Sequence, residues 1–237
     1  MFENEGKIQG IVDRVVADMI AGHLAEKKLY HDERVGRPYW NLTTPGAFSK
    51  NFIAVAVLGY PERVGVWSYT LLSQSRVQES SMEPYFREFA NHGLGLVAID
   101  PNAFGPDLKG DSFVYQLERF VADVAPDSRL GFIGFSMGGR ILVEFLEQRP
   151  ELLARSAGLV LIDPTLPNRL QVARIRSLLD TDTLLIASQG DVFSPGDIAS
   201  ALLKVPKISF GGIHGEMPNK ALGAILDFFG ARTGRPE

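Results

Sequence analysis

The sequence predicts a doubly wound α/β fold, with a mostly parallel sheet and helices on both of its faces. The first observation is that short apolar runs rich in Val, Ile, Leu and Phe alternate with amphipathic helical patterns. The second is that these apolar runs are nearly continuous, which is typical of strands that are covered on both faces. The third is the length of 237 residues, which suits one large α/β domain better than two.

The apolar runs give the positions of the strands, and the amphipathic patterns give the helices between them. Strands are predicted over 52–58, 94–99, 130–135, 159–162, 184–187 and 205–210. Helices are predicted over 80–92, 112–124, 137–148, 168–180, 196–204 and 217–229. Residues 38–48 can add one or two antiparallel strands at an edge, because Pro45-Gly46 is a turn signal. Ligands of such sheets bind beyond the carboxyl ends of the strands, so the residues that follow each strand carry the functional interest.

The N-terminal part of the chain has a different pattern from the rest. Apolar residues recur at helical spacing over 8–29, which predicts a surface helix packed on the domain. Residues 30–36 are polar and are interpreted as a connector. A membrane-surface or partner-binding helix is the less favoured interpretation, because both acidic and basic residues interrupt the pattern. We therefore expect a helical extension over 1–36 and the α/β domain over 37–237.

Composition excludes several kinds of chemistry and partner. The sequence contains no cysteine, so disulfides, thiolate metal sites and a cysteine nucleophile are excluded, and a reducing compartment such as the cytoplasm is expected. The net charge is −4 and no basic run stands out, so no nucleic-acid footprint is predicted. No apolar run approaches the ~20 residues of a membrane span, and the N-terminus lacks the basic region of a secretory signal.

The pattern Gly134-Phe135-Ser136-Met137-Gly138 lies between a predicted strand and a predicted helix. A nucleophilic serine needs a sharp, strained turn that lifts its hydroxyl away from the sheet. Glycine at 134 and 138 fits that need, because a side chain there would crowd the turn. The helix N-terminus would direct backbone N–H groups at the reaction centre. The five-residue pattern is weak by itself, and the strand before it and helix after it make Ser136 the candidate nucleophile.

Among the four histidines, His214 is the candidate general base for a serine nucleophile. It follows the strand over 205–210 in a loop before the last helix, where an active-site residue is expected. His23 belongs to the N-terminal helical pattern, His31 to the polar connector, and His92 to the end of a helix.

A histidine base needs a carboxylate that fixes its tautomer, and two residues that end strands are candidates. Asp191 is favoured, because it follows the strand immediately before the histidine strand. Asp163 also follows a strand but precedes Pro164, so it is left as the alternative that could instead brace the turn. Asp100-Pro101 is interpreted as turn chemistry.

Taken together, these residues resemble the α/β-hydrolase superfamily. The order Ser136, Asp191, His214 is similar to the Ser…Asp…His order of that superfamily, and the resemblance covers roughly residues 38–230. It implies an α/β-hydrolase fold and an esterase-like serine hydrolase. It also implies little or no cap domain, because Pro164 to Asp182 holds only one predicted helix.

The resemblance further implies an oxyanion hole made of the backbone N–H groups of Met137 and Tyr60. Many members have His-Gly where this chain has Leu58-Gly59, so Gly59 stays open as the second donor. The aromatic and methionine side chains at strand ends are pocket candidates, shared with ordinary packing as an alternative, and would suit a modest apolar substrate group. They are Tyr60, Phe104, Phe135, Met137, Phe193 and Met217.

The expected function is hydrolysis of a small-molecule carboxylester or thioester through an acyl-enzyme, with no metal and no organic cofactor. Carbon–carbon bond hydrolysis or perhydrolysis would use the same residues, and the sequence does not separate these reactions. A non-catalytic ligand-binding protein of the same fold is a third alternative, which the intact set of Ser, His and Asp disfavours. Phosphate-binding glycine motifs are absent from the sequence, and the oligomeric state is not indicated.

Overall fold

The computed structural model describes residues 2–32, 37–59, 63–100, 109–165, 183–189 and 207–233. Within these residues the strands are β1 (Glu26–Asp32), β2 (Arg37–Thr43), β3 (Phe52–Val57), β4 (Gly95–Ile99), β5 (Arg129–Phe135), β6 (Ser156–Ile162), β7 (Thr183–Ser188) and β8 (Lys207–Phe210). The α-helices are α1 (Phe2–Ala21), α2 (Tyr69–Ser73), α3 (Val77–Ser80), α4 (Glu83–Asn91), α5 (Lys109–Asp123), α6 (Met137–Gln148) and α7 (Met217–Thr233). Short 3₁₀ turns occupy Ala47–Ser49, Pro150–Arg155 and His214–Glu216.

The strands form one sheet in the order β1-β2-β4-β3-β5-β6-β7-β8. The six strands from β3 to β8 run parallel to their neighbours, and β1 and β2 are antiparallel at one edge. The prediction of a doubly wound, mostly parallel sheet is confirmed, as is the antiparallel edge expected from residues 38–48. The predicted helices over 168–180 and 196–204 lie outside the described residues, and the short helices α2 and α3 were not predicted.

The central strands are mostly apolar because helices cover both faces of the sheet. Successive side chains of a strand point to opposite faces, so β3 contributes Phe52, Ala54 and Ala56 to one core and its alternate residues to the other. Helices α1, α4 and α7 pack on the first face, and α5 and α6 pack on the second. This arrangement brings the carboxyl ends of β3, β5 and β6 together at one edge.

The N-terminal region differs from the prediction in its secondary structure. The helix ends at Ala21 rather than at residue 29, because the chain turns at Gly22 and at His23, whose φ is 55°. Residues 26–32, expected as helix end and connector, form β1, which pairs antiparallel with β2 from Glu26↔Thr43 to Asp32↔Arg37. β1 is an edge strand that pairs with a neighbour on one side only, and edge strands often carry charged residues. Its sequence is therefore polar and lacks the hydrophobic pattern by which a strand is predicted.

Helix α1 also packs more deeply than a surface extension would. Val12, Val16 and Met19 are buried in the same core as the first face of the sheet. The predicted domain boundary at residue 36 also falls between β1 and β2, which pair with each other in the sheet. Across the described ranges, no helix is both long and apolar enough to cross a membrane.

Candidate active site

Ser136 occupies a strained turn between β5 and α6. Its φ of 54° and ψ of −121° lie in a backbone region that residues other than glycine rarely adopt. The Ser136 N–H donates to the carbonyl of Ile162 at 3.0 Å, and the N–H of Thr165 donates to the Ser136 carbonyl at 2.9 Å. The strained conformation is therefore held by the backbone at the end of β6.

The glycines on either side of Ser136 are required by close backbone contacts. A Cβ at Gly138 would lie 2.5 Å from the carbonyl oxygen of Leu58, with the carbonyl oxygen of Val57 nearer still. A Cβ at Gly134 would lie 2.7 Å from the backbone nitrogen of Gly139. Real Cβ atoms do not approach backbone atoms so closely, so the predicted crowding at positions 134 and 138 is confirmed.

His214 begins the 3₁₀ turn between β8 and α7, and its ring lies against the residue that precedes the serine. The imidazole stacks on the ring of Phe135 with a centroid separation of 4.6 Å and an interplanar angle of 25°. The rings of Phe135 and Trp67 form a T-shaped pair with a centroid separation of 6.0 Å. The His214 side chain is 35% exposed, so the ring is supported on one side and open to solvent on another.

Asp163 is the carboxylate that contacts His214. Its Oδ2 atom lies 3.2 Å from Nδ1 of His214, and its side chain has no exposed surface. Asp163 follows β6 with a φ of 39°, and its N–H donates to the carbonyl of Ile186 at 2.8 Å. The other carboxylate oxygen, Oδ1, accepts from the N–H of Ser188 at 2.9 Å.

The surroundings of Asp163 favour its ionised form. Burial raises the pKa of the Asp163 carboxyl group, but the hydrogen bonds from His214 and Ser188 outweigh it and leave that pKa below its ordinary value. An ionised carboxylate only accepts hydrogen bonds, so the proton of the neutral imidazole is assigned to Nδ1. The Nε2 atom of His214 is then left to act as a base.

This contact bears on the choice between the two carboxylates. Asp191, which the sequence favours, lies outside the described residues. Asp163, the alternative, makes the contact because it follows β6, whose end is hydrogen-bonded to the Ser136 turn. Sequence reasoning favoured Asp191 from the order of the strands along the chain, and that order does not show which carboxylate contacts His214.

The other predicted site residues have varied positions. Met137 is the first residue of α6, where a backbone N–H has no partner within the helix, and its side chain is 39% exposed. Phe135 and Met217, pocket candidates, are fully buried members of the core. Tyr60, Phe104 and Phe193 lie outside the described residues, whereas Gly59 is described and buried.

A set of polar contacts that the sequence analysis missed holds the His214 turn. Glu216 contacts Nη2 of Arg76 at 2.5 Å and Nζ of Lys220 at 2.7 Å. The side-chain amide of Asn219 donates to the carbonyls of Glu79 at 2.8 Å and Ser81 at 3.0 Å. The spacing of Glu216 and Lys220 within one helical turn was the only signal in the sequence. These contacts tie the histidine turn to the segment that carries α2 and α3.

The described residues contain no group of three or more His, Asp or Glu side chains that could hold a metal ion.

No protein-family model matches the sequence, and no curated protein matches it.

The chain is similar in structure to many solved hydrolases at low sequence identity. A protein from Thermoplasma acidophilum described as a predicted CIB-like hydrolase has a TM-score of 0.63 and 14% identity, with 88% of this chain and 98% of that chain covered. A thioesterase domain from the curacin biosynthetic pathway has a TM-score of 0.56 and 14% identity, with coverages of 86% and 99%. A thermostable carboxyl esterase from Bacillus coagulans has a TM-score of 0.57 and 12% identity, with coverages of 87% and 98%. The sheet order, the turn at Ser136 and these similarities together show that the chain has the α/β-hydrolase fold.

Proposed function

We propose that this protein is a serine hydrolase that cleaves a carboxylester or thioester through Ser136, His214 and Asp163. The observation that carries the proposal is the pairing of His214 Nδ1 with the buried, ionised Asp163 beside the strained Ser136 turn. A histidine that was simply exposed in a surface loop would need neither a fully buried carboxylate beside it nor a nearby serine with a strained backbone.

Each of the three residues has its own role in the transfer of the acyl group. His214 removes the proton from Ser136 as the hydroxyl attacks the carbonyl carbon, and Asp163 stabilises the imidazolium that forms. His214 then protonates the leaving alcohol or thiol, which leaves an acyl group on Ser136. Water, activated by the same histidine, releases the acid and restores the serine.

The negative charge that develops on the carbonyl oxygen needs nearby donors. The N–H of Met137 is placed at the start of α6, where the helix dipole also favours an anion. We assign the second donor to Tyr60 or Gly59, on the segment that follows β3. Loss of one such donor typically lowers the rate by ~10²–10³.

Two exposed apolar side chains support an apolar substrate group. Among the described residues, the exposed large hydrophobic side chains include Met137 and Ile213, each 39% exposed. They adjoin Ser136 and His214 in the chain, so they suit the acyl or alcohol part of an ester better than a charged group. Phe104 and Phe193 are retained as further pocket residues in this proposal. The thioesterase domain and carboxyl esterase of similar fold are consistent with ester-type chemistry.

Covalent labelling tests the proposal. A fluorophosphonate probe phosphonylates an activated serine, and mass spectrometry locates the adduct. We expect labelling of Ser136 that is lost in Ser136→Ala and strongly slowed in His214→Ala, with Ser128→Ala as a control that labels normally. A folded sample that is not labelled, or is labelled at another serine, contradicts the proposal.

A further inference from the structure

Ser188, the last residue of β7, lies directly behind the carboxylate of Asp163. It is fully buried. Its backbone N–H donates to Oδ1 of Asp163 at 2.9 Å, and its side chain also hydrogen-bonds to Asp163. Both hydrogen-bond donors of this residue are therefore directed at one carboxylate.

The two oxygens of Asp163 have different partners. Oδ2 faces Nδ1 of His214, while Oδ1 accepts from the backbone N–H of Ser188. Rotation of the carboxylate would break the contacts on both sides, so the donors on β7 determine which oxygen faces the imidazole. The Asp163 backbone is fixed to the same strand through the carbonyl of Ile186.

We propose that Ser188 is a positioning residue for the reaction. Its hydroxyl group orients Asp163 toward His214 and moderates the strength of the hydrogen bond that the Asp163 carboxylate accepts from the imidazole. This proposal rests on the function proposed above. Ser188 does not touch the substrate and acts only through Asp163.

The physical consequence has a definite sign. A carboxylate that loses the hydroxyl donor of Ser188 carries more charge available to His214, so it stabilises the imidazolium more strongly. The acid limb of the kcat/KM profile, which reports protonation of the general base, then moves to higher pH. Looser orientation of Asp163 lowers kcat at the same time.

The experiment compares Ser188→Ala and Ser188→Thr with the parent protein on a small p-nitrophenyl ester. We expect Ser188→Ala to lower kcat about tenfold, as for loss of a hydrogen bond to a charged group, with KM nearly unchanged and the acid limb at higher pH. Ser188→Thr keeps the hydroxyl and is expected to restore the parent profile. An unchanged acid limb in Ser188→Ala overturns the proposal, as does a threonine variant that behaves like the alanine variant.

A second measurement separates this proposal from the proposed function. The proton NMR resonance of Nδ1–H of His214 reports its contact with Asp163 whether or not the protein turns over an ester. We expect the resonance to shift or to be lost by exchange in Ser188→Ala and to stay in place in the control Ser128→Ala. Ser128 is also buried and hydrogen-bonds to the carbonyl of Lys50 at the opposite end of β5. An unchanged resonance in a folded Ser188→Ala variant overturns the positioning role, whereas failed labelling of Ser136 overturns the function.

Discussion

Asp163 is fully buried, has a backbone φ of 39°, and carries a carboxyl group whose pKa is lowered. Burial of a charge and a positive φ at a non-glycine residue each cost free energy in a folded protein. The hydrogen bonds from His214 and Ser188 offset that cost locally. A residue kept in such a position is a strong candidate for function, since a structural role could be filled with less strain.

The choice between Asp163 and Asp191 gives the first prediction. Asp163→Asn keeps the shape of the side chain but removes the charge that holds the imidazole in its productive tautomer, so we expect kcat to fall about 10⁴-fold, the order seen in serine triads. The matched variant Asp191→Asn is expected to change kcat less than about threefold. Steady-state ester hydrolysis by both purified variants measures this. A large loss in Asp191→Asn with little change in Asp163→Asn would reverse the assignment.

The lowered pKa of Asp163 also predicts how stability depends on pH. In the unfolded chain an aspartate has a pKa of about 3.9, and in the folded protein the pKa of Asp163 is lower. Its contribution to the free energy of unfolding is therefore fully present above the unfolded pKa and is lost as pH falls through the folded pKa. Denaturant unfolding at a series of acidic pH values should show the parent losing stability relative to Asp163→Asn. A stability difference that does not change with pH would contradict this.

At the scale of elements, the His214 turn is held against α2 and α3 by charged groups. Hydrogen bonds from Lys220 and Arg76 lower the pKa of Glu216. The Glu216 carboxylate therefore stays negatively charged at neutral pH, opposite the two basic side chains. Gly215 fits closely against Ser68, where a Cβ would lie 2.5 Å from the serine oxygen. The turn that carries the proposed base is thus fixed by side chains distant in sequence.

Glu216→Gln is predicted to loosen this turn without unfolding the protein. We expect kcat/KM to fall roughly threefold to tenfold, because misplacement of a catalytic base slows the reaction. The matched control Glu83→Gln breaks an exposed pair with Arg87 on α4 and is expected to have no effect, as for most surface ion pairs. Ester hydrolysis and thermal unfolding of both variants measure this. Equal activity of the two variants would show that the contacts of Glu216 do not position His214.

At the scale of the whole molecule, the N-terminal helix belongs to the main core. Val16 and Met19 of α1 are 4% and 1% exposed, and a Cβ at Gly65 would approach both side chains. The helix therefore covers the first face of the sheet together with α4 and α7.

Met19→Ala is predicted to lower the free energy of unfolding by about 2–5 kcal/mol, the usual effect of removing a buried methionine side chain. Val15→Ala, at a half-buried position of the same helix, serves as the control and should have a clearly smaller effect. Urea denaturation of both variants gives the comparison. If Met19→Ala cost no more than Val15→Ala, α1 would be a peripheral extension after all.

The sequence alone determined the central strands of this protein, most of the helices that lie between them, and the glycine-flanked turn at Ser136. Continuous apolar runs must be buried on both faces, and glycines around Ser136 are needed wherever backbones come this close, so both features could be predicted from residue type and spacing. The tertiary structure decided what depends on distant neighbours: the polar edge strand β1, the contacts of Glu216 with Arg76 and Lys220, and the contact between Asp163 and His214. Strand order and register place residues together that are 51 positions apart in the chain, and no local pattern in a single sequence encodes that distance.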